Sequence, residues 1–386
     1  MNKREHILQV NIDNDGGNGA FSLIRNYYNY LSDEYIFDYF TMGKFIHDSV
    51  YSDIRKTGGK CYSANLRKNK LIGHIMLPFA FYKCLKKNDY KIVHIHSEVA
   101  YKHFLYGIAA KFAGCPFIII HSHSNNIDGD RKGVKLLFHR ILKQAVNNIG
   151  DYFLACSSPA AEWMFSHRNL CSSKFAILQN GIVPSKYEYN EIIRKRVRLE
   201  LNIDDYIVIG HVGALKKVKN QAFLIDVINS FPDKDKYKLL LIGDGEDKYT
   251  LVKRTKELNC EDQVLFLGNR TDVCSLLQGL DVFVFPSIFE GIPIAMLEAQ
   301  AVGLPVIASD TINNDVVINE NVKMLSIGAS IDEWKKNIQL ATRTHMKMDG
   351  YKNVLNSKYN LERSAQTLGL IYKGFYNREK CKYEEK

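Results

Sequence analysis

Three features of the sequence predict an α/β protein of two domains, each a parallel sheet covered by helices. The chain has 386 residues, more than one hydrophobic core ordinarily serves, so two domains of about 150–200 residues are expected. Short apolar runs that end in turn residues are followed repeatedly by helical periodicity, the pattern of strand–helix–strand units. The runs are nearly continuous in Val, Ile and Leu, as suits strands with helices on both faces. With 46% apolar and 24% charged residues, the chain is not of the disordered class.

In the first half the strands are "HILQVNI", "KIVHIHS", "PFIIIHSHS" and "YFLACSS"; in the second, "YIVIGHVG", "KLLLIGDG", "QVLFLGN", "DVFVFPS" and "LPVIASD". Between the two series, "NGIVPSKYEYNEIIRKRVRLELNIDDY" passes from turn residues to charge, which places a first domain at 1–184, a linker at 185–204 and a second domain at 205–358. A final helix follows at 359–376, and the charged tail 377–386 is expected to fray.

Eight cysteines without a CxxC pair or zinc spacing fit reduced thiols of a cytoplasmic protein. The opening "MNKREHILQV" has no apolar leader and no run reaches the length of a spanning helix, so the expectation is a soluble or peripheral protein. The net charge of +10 is uneven: from Arg55 to Lys91 basic residues face a single acid, Asp89, around "LIGHIMLPFAFYKCLKK". That 55–91 region reads either as a patch for an anionic membrane or lipid phosphate, or as a solvated helix face beside a loop. No zinc-finger, RRM or KH pattern accompanies it, so nucleic acid is not an expected partner.

"FEGIPIAMLEAQAVGLPVIASD", Phe289 to Asp310, holds the pattern richest in chemistry. A strand closed by Pro286 leads through a loop to a helix with Pro293 as its first residue and Gly303 as its stop. Ligands of open α/β sheets bind at the carboxyl ends of strands. The first-turn N–H groups of Gly291, Ile292, Ile294 and Ala295 would favour a phosphate there. Glu298 borders the stripe Ile294, Leu297 and Ala301. A carboxylate in that place is costly without donors, and it is matched either by the two hydroxyls of a ribose or by a neighbouring Lys or Arg. Glu290, ahead of the helix, either faces a sugar beyond the phosphates or sits in water.

The E-x7-E spacing of Glu290 and Glu298 in "EGIPIAMLE", continued by "AQAVGLPVIASD", resembles the nucleotide-sugar motif of the retaining family 4 glycosyltransferases of the GT-B fold. Also similar, in order, are "DGGNGAFSLIRNYYNYL", "KIVHIHSEVA", "IIIHSHSNN", "LQNGI", "GHVGALKKVKN", "LIGDGE" and "VLFLGNRTDV". The likeness covers nearly the whole chain and is greatest to bacterial capsular and exopolysaccharide enzymes. It implies two Rossmann-like domains facing across a cleft, with the final helix returning to the first domain. The donor is a nucleotide diphosphosugar, expected to be a UDP-sugar, and the acceptor a glycan or lipid-linked sugar. Neither metal nor cofactor is implied, and the place of work is the cytoplasm or the inner face of the plasma membrane.

Residue by residue, the resemblance gives Glu290 the donor sugar, Glu298 the ribose, Lys219 the diphosphate and His123 the sugar as well. Gly16 and Gly17 match the glycine turn beside donor phosphate and acceptor, and Gly213 lies in the phosphate turn. Gly243, Gly245 and Gly268 would admit the base and ribose, and Arg270 would face phosphate or base. Asp272 is expected to cap the helix that follows it. His121 and His123 share a strand face. A metal-binding pair or histidines satisfied by backbone are the alternatives for them, and backbone-satisfied histidines are the expectation for His94 and His96. One departure stands out: the family carries an arginine where this chain has Ala214, so a diphosphate contact is missing or falls to Lys216 or Lys217. A nucleotide-sugar epimerase of the same fold and a non-catalytic nucleotide-sugar-binding subunit remain alternatives.

Overall fold

The computed structural model describes residues 4–12, 19–44, 48–66, 70–124, 132–290, 292–344 and 349–384. The chain forms two compact units: residues 1–180 together with 361–386, and residues 181–360.

Unit 1 alternates β1 (Glu5–Val10), α1 (Gly19–Leu31), β2 (Tyr35–Thr41), α2 (Asp48–Lys56), β3 (Cys61–Ser63), α3 (Lys70–Asn88), β4 (Ile92–Ser97), α4 (Ala100–Ala113), β5 (Phe117–Ser122), α5 (Lys132–Ile149) and β6 (Tyr152–Ala155). Two short helices, α6 (Ser158–Met164) and α7 (His167–Leu170), lead to β7 (Phe175–Ile177). The sheet runs β3-β2-β1-β4-β5-β6-β7, and every pairing is parallel. One face, carrying Leu8, Val10, Val93, Ile95, Ile118 and Ile120, is covered by α3, α4 and α5.

Unit 2 contains α8 (Glu191–Leu201), β8 (Ile207–Val212), α9 (Gln221–Asn229), β9 (Tyr237–Ile242), α10 (Lys248–Glu257), β10 (Val264–Gly268), α11 (Val273–Gln278) and β11 (Val282–Phe285). It continues with α12 (Ile294–Val302), β12 (Val306–Ser309), β13 (Val322–Leu325), α13 (Ile331–Thr344) and α14 (Gly350–Asn356). Its parallel sheet has the order β10-β9-β8-β11-β12-β13. Alternation along β11 separates two cores: Phe283 and Phe285 pack under α12, and Val282 and Val284 pack with α9 and α13 on the other face. In both units the strand order reverses beside the first strand, between β1 and β4 and between β8 and β11. The carboxyl ends of such a pair bound the crevice where open α/β sheets bind ligands.

Two segments differ from the sequence reading. The stretch taken as a linker, 185–204, belongs to unit 2, because Arg194 and Arg198 on α8 both reach the buried carboxylate of Asp281, at 2.6 and 3.2 Å. Arg198 also donates to the carbonyls of Gly279, Asp204 and Tyr206, and Asp281 accepts from the Val208 amide. The chain end is one helix, α15, Leu361–Glu384, longer than the expected 359–376, and it packs on α1 within unit 1.

Removing Asp281 leaves two guanidinium groups with little solvent and no counter-ion. Asp281→Ala is expected to lower the stability of unit 2 by about 3–5 kcal/mol in urea unfolding. A loss no larger than that of an ordinary surface substitution would mean that the carbonyls alone hold α8.

Candidate functional site

In unit 2 the chemistry gathers at the switch point. After β8 the chain runs through Gly213 and Ala214 into a single 3-10 turn, Lys217–Lys219. After β11 it passes Pro286 to Glu290 and enters α12. The Ile288 amide donates to the Val218 carbonyl at 2.8 Å, which ties one loop to the other. Lys219 Nζ and Glu290 Oε1 then meet at 2.6 Å, with side chains 21% and 10% exposed. The ammonium also lies 5.3 Å from the centre of the Phe285 ring. Glu290 is therefore neither a free loop acid nor far from the lysine. Beneath them lies His211, buried and bonded through Nδ1 to the Val284 carbonyl, its pKa pushed down to about 4 by burial and then by Lys219.

Glu298 sits at the middle of α12, half-buried between Met296, Leu297, Ala299 and Gln300, which are buried. Its partner is neither lysine nor arginine: Tyr187 donates its hydroxyl to Oε1 at 2.5 Å. Desolvation raises the Glu298 pKa above the usual carboxylate value, and the tyrosine bond only partly offsets this. Burial and the adjacent carboxylate raise Tyr187 as well. Tyr187 gave no sequence signal, because an isolated tyrosine in a turn 111 residues away carries no spacing to Glu298.

Several readings change. Pro293 is the N-cap of α12 and not its first helical residue, since its carbonyl accepts from Met296 and Leu297. The Ile294 amide donates to the Ile292 carbonyl at 2.9 Å, so it is not one of the open first-turn donors; Ile292 and Ala295 flank it, and Gly291 lies outside the described residues. Arg270 holds Asp272 in a two-pronged pair at 2.8 and 2.7 Å. Asp272 thus occupies the N-cap position of α11 without a side-chain cap bond, because its carboxylate is taken. Gly243 and Gly245 are required by neighbouring backbone in their own right. A Cβ at Gly243, where φ is +136°, would stand 2.2 Å from the Gly213 carbonyl oxygen, and one at Gly245 would stand 2.3 Å from that of Leu215. Gly268, at φ +64°, faces open space, and a Cβ added at Gly213 would stand 3.6 Å from the Lys219 stem, an ordinary contact. Ala214 is exposed, and its carbonyl accepts from Gln221 at 2.9 Å. Lys216 and Lys217 are exposed in the same turn.

Unit 1 has its own constellation at the β1–β4 switch point. His123 Nε2 meets His96 Nδ1 at 2.9 Å, and His96 Nε2 meets Gln9 Oε1 at 2.8 Å. Gln9 donates to the Tyr372 hydroxyl, which pairs with His94 Nδ1; His94 Nε2 meets His121 Nδ1 at 3.1 Å. His94 and His96 are therefore held by side chains, not by backbone. The sequence could not show this, because two of the partners, Gln9 and Tyr372, come from β1 and α15. His94, His96 and His121 place a ring nitrogen each within 4.8 Å of one another, but five of those six nitrogens are committed to these bonds. Since an amide oxygen can only accept, His96 carries its proton on Nε2 and takes one from His123 Nε2–H. His123 then presents Nδ1 as a bare acceptor. Burial lowers its pKa to about 4 and drives His94, His96 and His121 well below the ordinary value. Gly16 and Gly17 lie outside the described residues.

The comparisons with known proteins follow this geometry. Residues 193–349 match the model described as glycosyl transferases group 1, and residues 51–186 match glycosyltransferase family 4. Both matched families are glycosyltransferases, and together the two matches take in most of the chain. It is similar to EpsF of Bacillus subtilis, named as a glycosyltransferase, with 29% identity over 261 residues, 67% of either chain. It is also similar to the UDP-Gal:alpha-D-GlcNAc-diphosphoundecaprenol alpha-1,3-galactosyltransferase of Escherichia coli, with 30% identity over 65% of this chain and 66% of that one. These matches thus span about two thirds of each relative. Among solved structures, Anabaena HepE in complex with UDP superposes with a TM-score of 0.76 at 15% identity, over 96% of this glycosyltransferase and all of that chain. The α/β fold in two parallel-sheet domains is that of the GT-B proteins.

Two pH effects of opposite sign follow. The lowered histidines bind protons more readily unfolded, so unit 1 should lose stability as pH falls below about 6.5, seen as a falling urea midpoint; a flat midpoint from pH 7.5 to 5 would mean they are not buried neutral. The raised Glu298 acts in reverse, because its ionised form is disfavoured by folding. Glu298→Gln should stabilise unit 2 at pH 7.5, and that gain should vanish as pH falls toward 4.5; a gain independent of pH would count against the raised pKa.

Proposed function

We propose that this glycosyltransferase moves a sugar, with retention at the anomeric carbon, from a UDP-sugar to a hydroxyl of a lipid-linked glycan in the synthesis of a bacterial surface polysaccharide. The observation that carries the reading is the Lys219–Glu290 pair at the β8–β11 switch point, with Glu290 eight residues ahead of the half-buried acid Glu298. UDP as the leaving group is supported by the ligand of HepE and by the donor in the name of the Escherichia coli relative. The lipid-linked acceptor is supported by the acceptor in that same name.

The diphosphate lies against the start of α12, at Gly291, Ile292 and Ala295, and draws Lys219 away from Glu290. That exchange matters for both partners. The lysine neutralises charge that grows on the leaving phosphate, so no metal is required. Glu290, released, accepts from hydroxyls of the donor sugar. Glu298 takes the ribose hydroxyls beside Tyr187, which offsets the desolvation of its carboxylate. Gly213 and Gly268 leave room for the nucleotide, and Nδ1 of His123 accepts from a sugar hydroxyl. With no enzymic nucleophile assigned, the acceptor oxygen attacks the anomeric carbon on the face the phosphate leaves. The carbon–oxygen bond to the phosphate breaks, and its oxygen takes the acceptor's proton. The enzyme works in the cytoplasm, at the inner face of the plasma membrane.

Glu290→Ala should lower kcat by roughly 10²–10³ if its sugar contact is made chiefly in the transition state. UDP affinity, read by calorimetry, should hold or rise, because Lys219 is freed for the phosphates. Normal turnover in this variant would remove Glu290 from the mechanism.

A further inference from the structure

Across β1, β4 and β5 the buried polar side chains of unit 1 form two hydrogen-bonded rows with different ends. Register sets Gln9 beside His94 and His96 beside His121. A contact from Gln9 to His96, or from His96 to His123, is therefore a diagonal step that moves two residues toward the carboxyl ends of the strands. The first row takes both steps, Gln9 to His96 at 2.8 Å and His96 to His123 at 2.9 Å. The second runs from the Tyr372 hydroxyl to His94 Nδ1 at 2.8 Å and from His94 Nε2 to His121 at 3.1 Å. It ends blind, because His121 Nε2 is buried with no hydrogen-bond partner. Gln9, His94, His96 and His121 are buried, whereas His123 is half-buried at the strand end. The rows join at the amide of Gln9, whose Nε2 donates to Tyr372 at 3.2 Å.

The rings of the first row are held in line by their backbone. The Asn11 side chain donates to the His96 carbonyl at 2.6 Å, and the His123 amide donates to the Ser97 carbonyl at 3.2 Å. Position alone does not set the protons. A neutral imidazole has one donor and one acceptor nitrogen, so a row of them polarises as a unit, and whatever meets the first nitrogen decides what the last one presents. Here the first group is Oε1 of Gln9, an acceptor. Were it a donor, His96 would carry its proton on Nδ1, and His123 would accept at Nε2 and show an N–H at Nδ1. Glu98 acts on His123 through its charge, but its carboxylate bonds Ser97 Oγ at 3.5 Å and pairs with Lys102 at 3.9 Å. Among the described residues no bond from that acid to the ring competes with the row.

We propose that Gln9 is a positioning residue for His123: acting through His96, its amide oxygen holds the His123 proton inward on Nε2 and keeps Nδ1 bare at the strand end. Gln9 is 1% exposed, so it works through the row and not on substrate. The purpose rests on the proposed function, since a bare nitrogen takes the proton of a sugar hydroxyl and leaves that oxygen's lone pairs to other donors.

Nitrogen-15 shifts of the histidine rings in the full chain test this without any transfer reaction, because protonated and bare ring nitrogens are well separated; the His123 signals are those lost in His123→Gln. In wild type at pH 7.5 His123 is expected in the Nε2–H form. Gln9→Met removes the acceptor and keeps the length of the side chain. A buried bare nitrogen is tolerated better than a buried orphan N–H, so His96 should move its proton to Nδ1 and turn His123 to the Nδ1–H form. Gln9→Glu retains an accepting oxygen and should keep the wild-type tautomer. In transfer from a UDP-sugar, Gln9→Met is expected to lower kcat/KM about tenfold with UDP affinity unchanged, and Gln9→Glu to recover most of that loss. The proposal is overturned if wild-type His123 is already in the Nδ1–H form, if Gln9→Met leaves its tautomer unchanged, or if the tautomer inverts and transfer stays as in wild type. The first of these needs no Gln9 variant, so it decides even if Gln9→Met fails to fold. Absence of transfer by wild type would count against the proposed function, and the tautomers would still decide the role of Gln9.

Discussion

One backbone hydrogen bond, from the Ile288 amide to the Val218 carbonyl at 2.8 Å, makes a single site of two loops that are 70 residues apart in sequence. Strand pairing brings β8 and β11 side by side, but it fixes only the strands. Beyond their ends each loop is free to turn aside, and the side chains it carries have no reason to meet. With the loops tied, Lys219 and Glu290 lie in contact at a half-buried position, where a charge pair is worth more than on open surface and is still accessible to a ligand. The pair is therefore suited to exchange: each member can trade the other for a charged or polar group of a substrate without being left bare.

Buried polar groups elsewhere in the protein show what a fully satisfied site looks like. Asp38, in the middle of β2, accepts from the Tyr90 hydroxyl and the Lys60 amide and pairs with His6. Asp281 has two arginines and an amide. Glu298 has one tyrosine hydroxyl. The contrast separates structural acids from the one on α12: the first two are surrounded by donors supplied by the fold, and the third retains unfilled accepting capacity next to the crevice. A carboxylate kept in that state costs stability, and such a cost is characteristic of positions held for a ligand.

Much of the fold was legible because strands buried on both faces leave an unbroken apolar run, and nine such runs stand in the sequence. The strands that escaped notice have physical reasons. Asp38 interrupts β2, and His6, the distant Tyr90 and the Lys60 amide make it tolerable there. The strands β3, β7 and β13 have three or four residues each, too few to show a period. The charged stretch at 185–204 looked like a linker since its arginines seemed solvated; their partner, Asp281, is some 80 residues away. The site was legible to the same degree. The acids and Lys219 could be placed by motif, but Tyr187, Gln9 and the histidine relay join residues from remote elements, and Gly243 and Gly245 answer to neighbouring backbone that no motif displays.

The alanine at 214 bears on how charge is shared at the phosphate turn. An arginine there would add a forked donor at fixed geometry. Without it, Lys219 is the half-buried cation of the turn, and Lys216 and Lys217 stand exposed beside it. Exposed lysines are screened by water and salt, so they raise the local positive potential more than they grip an oxygen. Under the proposed function, a turn so equipped draws a nucleotide diphosphate in by long-range attraction and holds it by one half-buried lysine and backbone amides. The Glu290 partnership then becomes more than a resting state for the lysine. With no arginine to share the phosphates, Lys219 must be pre-positioned, and the carboxylate that holds it at 2.6 Å does so before any ligand arrives.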